Sequence, residues 1–166
     1  HVQGDVLAGG QQKQIDVFVA GPDAPKKGRS AKVNGVPYAR AAGIAGIFTA
    51  VVFDPNHLSL IKAGPEGRRR FIDAALCQLY PGYVGTLRRY VRTLTQRNAL
   101  LKKYHAIYEA EEQLAGFDEQ LAAAGEEITR RRAEYLAVAA PQAQRIYDEI
   151  SGGAEQMEIA FLPCCA

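Results

Sequence analysis

Cysteine and histidine are scarce here, with three of each in 166 residues. Cys77, Cys164 and Cys165 are an odd set with an adjacent pair, a poor frame for disulfides. Histidines stand at 1, 57 and 105, and no metal-ligand spacing emerges from them and the cysteines. Cys77, in "DAALCQLY", reads as a small buried apolar residue rather than a nucleophile. No eighteen successive residues are apolar, which excludes a membrane-spanning helix. "HVQGDVLAGG" has no basic stretch before an apolar block, which argues against a signal peptide. Together these absences point to a reducing, cytoplasmic setting without a membrane. The residues of nucleotide chemistry are missing as well. No G-x-x-x-x-G-K-[ST] loop occurs, and "GPDAPKKGRS", the nearest stretch, is not followed by an apolar helix. No apolar strand ends in paired acids, and no Ser/His/Asp set stands out, so no catalytic residue is assigned.

What is present suits a folded domain. The chain is 48% apolar and 23% charged, and its length allows one real core. It starts without Met and in mid-pattern, so an internal piece of a longer protein is expected. The net charge is only +2, but its distribution is uneven. Between Lys62 and Lys103 stand Lys62, Arg68, Arg69, Arg70, Arg88, Arg89, Arg92, Arg97, Lys102 and Lys103, against Glu66 and Asp73 alone. From Glu109 to Glu127 every charge is acidic.

The pattern predicts an α+β fold. Strand-like runs flank Gly9-Gly10 and Asn34-Gly35, both hairpin signals. Residues 21–28 read as a loop. "GIFTAVVF" (46–53) is a continuous apolar run suited to a strand buried on both faces. Asp54 and Pro55 open a short helix through Leu58, Leu60 and Ile61 that stops at Gly64, and Pro65 opens another that ends near Pro81-Gly82. A long helix from about Tyr83 to Glu112 carries the apolar stripe Leu87, Tyr90, Val91, Leu94, Leu101 and Tyr108. Gly116 marks a turn. A second long helix carries a seam of Leu114, Phe117, Leu121, Ala124, Ile128, Tyr135 and Val138, interrupted at Arg131. Pro141 should kink or break it. Ser151-Gly152-Gly153 ends it, and "EQMEIAFL" (155–162) alternates as a strand. The expected organisation is a partial β-sheet subdomain (1–53), a helical arm (54–150) and a strand returning to the sheet (151–166).

The strongest site-like feature is one face of the first long helix, where Arg88, Arg89, Arg92, Lys102 and Lys103 fall together away from the apolar stripe. Clustered cations of this kind fit nucleic-acid phosphates. The competing reading is a solvated face, or one paired with the acidic 109–127 segment. Arg68, Arg69, Arg70 and Arg97 are candidates either for DNA or for structural ion pairs, with Asp73 a candidate partner for one of the triple. His57 reads as a surface-loop residue.

Three stretches resemble a known family: "KVNGVPYAR", "VVFDPNHLSLIKAGPEGRRRFIDAALCQLYPGYVGTLRRYVRTLTQRNALLKK" and "ISGGAEQMEIAFL". The sequence is similar to the RecF family of bacterial recombination and repair proteins, most specifically between 51 and 103. It departs from the family pattern at Asp54, at Asn56-His57 where two acids are usual, and at Ala63. Asp54, Asn56 and His57 are therefore candidates at the junction of the two lobes. The resemblance implies part of an ABC-type ATPase lobe with an inserted helical arm. It also implies DNA binding in repair, recombination, replication and the SOS response, at single-strand gaps with RecO and RecR, and dimerisation with ATP. ATP and Mg belong on this reading to the full-length protein, a weak DNA-dependent ATPase, whose P-loop would precede His1 and whose signature loop would follow Ala166. This stretch itself would hold no cofactor and do no ATP chemistry.

"ISGGAEQ" looks like the L-S-G-G-Q signature loop of such ATPases. A working signature loop opens a helix, whereas here a helix precedes Ser151, so the glycines are read as its C-cap. A second reading of the arm is a docking surface for RecR or for another copy of the chain. Open sheet edges and uncovered apolar surface also favour self-association.

Overall fold

The computed structural model describes residues 1–21, 28–52, 54, 60, 62, 64–103 and 111–163. These form two compact units, residues 1–84 and 85–166.

The first unit is built on a four-stranded antiparallel sheet in sequence order: β1 (Val2–Ala8), β2 (Gln11–Val19), β3 (Arg29–Val33) and β4 (Val36–Tyr38). Both expected two-residue turns are present. Gly9 and Gly10 have φ of 59° and 75°, and Asn34 and Gly35 have 51° and 78°. Two successive left-handed residues match the twist of the flanking strands. Asn34 also pins the second hairpin to β2, since its Oδ1 accepts the Gln14 N–H at 2.8 Å. Strand alternation sorts the sheet into two faces. Val2, Ile15, Val17, Ala31, Val33 and Tyr38 share one face through their pairings, and it holds the sheet's buried residues, Ile15 and Ala31. Gln3, Asp5, Gln14, Asp16 and Lys32 lie on the other.

A 3-10 turn follows at Ala41–Ile44. The apolar run 46–53 does not form the buried strand that its composition suggests. Its described part holds one isolated bridge, Ala45 to Phe48, and Val51 and Val52 face solvent. The backbone N–H of Ala50 donates to Gln78 Oε1 at 2.7 Å, so a side chain takes the bond that a ladder would use. The short helix read through Leu58 and Ile61 falls outside the described residues. Helix α1 (Pro65–Leu79) begins as expected. Pro65 sits at the first helical position, where its missing N–H has no bond to lose. The Gly64 carbonyl accepts the N–H of Gly67 at 3.1 Å. Leu76 on α1 has no solvent exposure, and Asp73 is buried one turn before it.

Helix α2 spans Tyr83–Lys103 (21 residues) and α3 spans Glu111–Ser151 (41 residues). The two are antiparallel. Arg97 meets Asp118, and Tyr90, seven residues back, lies against Gly125, seven residues on: a methyl placed on Gly125 would sit 3.5 Å from the Tyr90 ring. Of the expected seam, Leu114, Ala124 and Ile128 are buried, Phe117, Leu121 and Tyr135 are half-buried, and Val138 is 64% exposed. On α2, Leu87, Tyr90 and Leu101 are half-buried while Val91 and Leu94 are exposed; Tyr108 lies outside the described residues. Thr93, which the apolar pattern passes over, is buried.

Three expectations are corrected in this unit. Gly116 is not a turn, because α3 already runs from Glu111 through it and its φ is not positive. The burial of Leu114, with Phe117 and Leu121 half-buried, outweighs the roughly 1 kcal/mol that a helical glycine costs. Of the two outcomes expected at Pro141, a kink or a break, the break does not occur: α3 continues for ten residues beyond it. The proline forfeits one bond, to the Ala137 carbonyl, and the long helix on either side absorbs the loss. Residues 155–162 do not form a strand. Alternation supplies the faces of a strand but not a ladder partner, and among the described residues every ladder belongs to β1–β4.

Candidate nucleic-acid interface

The five cations expected on α2 share one side of the helix. At about 100° per residue, Lys102, Arg88, Arg92, Lys103 and Arg89 fall within an arc of about 140°. Tyr83, Tyr90, Thr93 and Arg97, which are buried or half-buried, occupy the opposite arc. All five cations are exposed. Arg88, Arg89, Arg92 and Lys102 form no ion pair among the described residues. From Arg88 to Lys103 the face runs about 22 Å. It has two parts, the arginine group at 88, 89 and 92 and the lysine pair at 102 and 103, with Thr95, Gln96 and Ala99 between them.

The remaining arginines are disposed differently. Arg97 lies on the packed side of α2, and its Nε donates to Asp118 Oδ1 at 2.5 Å. The hydrogen bond from Arg97 lowers the Asp118 pKa below the usual carboxylate range, and the same bond raises that of Arg97. Arg97 thus joins α2 to α3 through this ion pair. On α3, Arg130 and Arg131 form a closed network with Glu127 and Glu134. The hydrogen bond from Arg130, then that from Arg131, lowers the Glu127 pKa. These α3 arginines are neutralised by acids three and four residues away on their own helix. No such acid accompanies Arg88, Arg89 and Arg92, since α2 contains no Asp or Glu.

Arg68, Arg69 and Arg70 are all exposed on α1. Buried Asp73 accepts a hydrogen bond from Tyr83 Oη at 2.6 Å, a partner that sequence reasoning missed. The two residues are ten apart and belong to successive helices, so helical spacing gave no hint of the pair. Asp54 is half-buried; Asn56 and His57 lie outside the described residues. Cys77 is half-buried.

The Ser151-Gly152-Gly153 stretch caps α3. Gly152 and Gly153 have φ of 63° and 76°, and the Gly153 N–H donates to the Asp148 carbonyl at 3.0 Å, a Schellman closure. Tyr147 Oη donates to Glu155 across the cap, and that bond raises the Tyr147 pKa. The cap does not fit a nucleotide phosphate, because the Gly153 amide is already engaged by the helix it closes.

The fold and the exposed basic helix define a class: an α+β segment that carries a paired-helix arm with a cationic face. No protein-family model matches the chain. It is 42% identical over 137 residues to the DNA replication and repair protein RecF of Synechococcus sp. (strain JA-3-3Ab), covering 82% of this chain and 36% of that one. Against the RecF of Heliobacterium modesticaldum the identity is 38%, over 93% of this chain and 40% of the relative. A solved structure of the recombination mediator protein RecF-ATPrS in the RecFOR pathway superimposes with a TM-score of 0.84 at 32% identity, over 96% of this chain and 42% of that one. The chain belongs to the RecF family, and it spans about two-fifths of the length of the relatives it matches.

Proposed function

We propose that this chain is the DNA-contacting arm region of a RecF-like replication and repair protein, with the basic face of α2 seated on nucleic-acid phosphates. The observation that carries this reading is the exposed row of Arg88, Arg89, Arg92, Lys102 and Lys103 on a helix without a single acid. Guanidinium and ammonium groups spaced along about 22 Å neutralise successive phosphates and release their counterions. The α2 stretch 84–103 exposes no aromatic ring, since Tyr90 is half-buried; this favours contact with the backbone over base stacking. The names of the relatives support a role in DNA replication and repair. Action at single-strand gaps, with RecO and RecR as partners, belongs to the same proposal. So does ATP with Mg, bound by parts of such a protein other than this stretch.

The test is binding to a labelled gapped duplex. Arg88→Glu/Arg89→Glu/Arg92→Glu should lose most of its affinity while keeping the parent's circular dichroism. Affinity unchanged in that variant would remove this face from the DNA site.

A specific feature of α3 favours a second reading, a protein-docking arm. Ile146 and Ile150 lie whole numbers of turns from Ile128 and Leu114, on the same side of the helix. Leu114 is 5% exposed but Ile150 is 79% exposed. The contacts of α2 with α3, Arg97 with Asp118 and Tyr90 with Gly125, lie toward the buried end of that seam. Co-sedimentation with RecR, lost in Ile146→Glu/Ile150→Glu and retained in the arginine variant, would support docking here. No binding by the parent would count against it.

A further inference from the structure

The exposed side of α2 is not uniformly basic. Between Arg92 and Lys102 it carries a neutral gap of about 15 Å of helix, which parts the arginine group from the lysine pair. The gap residues on that side are Thr95, Gln96 and Ala99, all exposed. Thr95 and Ala99 are small, and the Thr95 hydroxyl donates to the Val91 carbonyl of its own helix at 2.8 Å. Neither an aromatic ring nor an acid stands between the two cationic groups. A single strand laid along this side would pass phosphates over three neutral residues and meet cations at the two ends alone. A duplex presents its phosphates differently: the two backbones form the rims of each groove, and the base edges between them carry no net charge. The major groove is about 12 Å wide and admits an α-helix, whereas the minor groove is about 6 Å wide. The gap in α2 matches the first width and overshoots the second.

We propose that α2 crosses the major groove of a duplex, with Arg88, Arg89 and Arg92 on phosphates of one strand and Lys102 and Lys103 on phosphates of the other. This rests on the assignment of the α2 face to DNA and adds which groove it spans and which side chains hold which strand. The long cationic side chains reach the rims, while the small Thr95 and Ala99 let the helix backbone settle between them. Ala99 and the engaged Thr95 hydroxyl offer the bases no free donor, so the contact selects groove shape rather than sequence. Tyr90, Thr93 and Arg97 occupy the opposite arc, where α2 packs on α3, and that packing leaves the cationic side exposed.

Moving the lysines into the gap tests this without changing the charge. The whole chain and Thr95→Lys/Ala99→Lys/Lys102→Ala/Lys103→Ala are titrated, at one salt concentration, against a fully paired duplex and a single strand of the same length. The parent should prefer the duplex. The relocated variant should lose about tenfold in duplex affinity and keep its affinity for the single strand. Lys102→Ala/Lys103→Ala alone should likewise weaken duplex binding more than single-strand binding. Circular dichroism matching the parent establishes that each variant is folded. A relocated variant that binds the duplex as tightly as the parent overturns the groove-spanning seat and leaves the DNA face standing, since charge alone would then suffice. So does a parent that prefers the single strand. A parent that binds neither form overturns the DNA reading of α2 and this inference with it.

Discussion

Two side-chain pairs fix the start of α2 and its packing on α3, and each makes a separate prediction. The Tyr83 hydroxyl donates to buried Asp73. Tyr83→Phe removes that donor and should lower unfolding free energy by about 1–3 kcal/mol, read from urea denaturation; no change would mean that other groups satisfy Asp73 fully. The Arg97–Asp118 pair acts through charge. Because Asp118 titrates lower in the folded chain than in the unfolded one, its contribution is full above the ordinary aspartate range. It is lost as pH falls through the lowered folded value. Asp118→Asn should therefore be less stable than the parent at neutral pH, and the two should converge at the acid end. A difference that stays constant with pH would contradict this role. The same pairing sets Arg97 apart from Arg88, Arg89 and Arg92, in line with the separate place its sequence context gave it.

At the scale of elements, helix interiors and turns place opposite demands on glycine. Gly116 lies inside α3 with open space at its Cβ position. Gly116→Ala should stabilise the chain by about 1 kcal/mol through helix propensity; destabilisation would restore the turn that the sequence suggests. Signals that act within a few residues were legible beforehand. Gly9-Gly10 and Asn34-Gly35 turn, Pro65 starts α1, and Gly152-Gly153 ends α3. Signals that depend on distant partners were not. Residues 46–53 and 155–162 have the composition or alternation of strands, but a strand also needs a neighbour, and only β1–β4 pair among the described residues. The basic face of α2 was legible because helical periodicity alone assembles it. The Asp73–Tyr83 bond was not, because it depends on how α1 is followed by α2.

For the whole chain, family membership and the charge pattern point the same way. RecF relatives are named for DNA replication and repair, and α2 presents cations that no acid on its own helix offsets. The 20 basic and 18 acidic residues of the chain leave a net charge of only +2, so net charge alone conceals the basic face of α2. Phosphate neutralisation by a defined set of side chains is the role proposed for α2, and the salt dependence of affinity counts such contacts. Each phosphate contact contributes about 0.9 to the slope of log affinity against log salt on duplex DNA. Measured on a gapped duplex, Arg88→Glu/Arg89→Glu/Arg92→Glu should reduce the steepness of that slope by about 2–3 relative to the parent. An unchanged slope, with affinity equal to the parent's at every salt concentration, would contradict the assignment of this face to DNA.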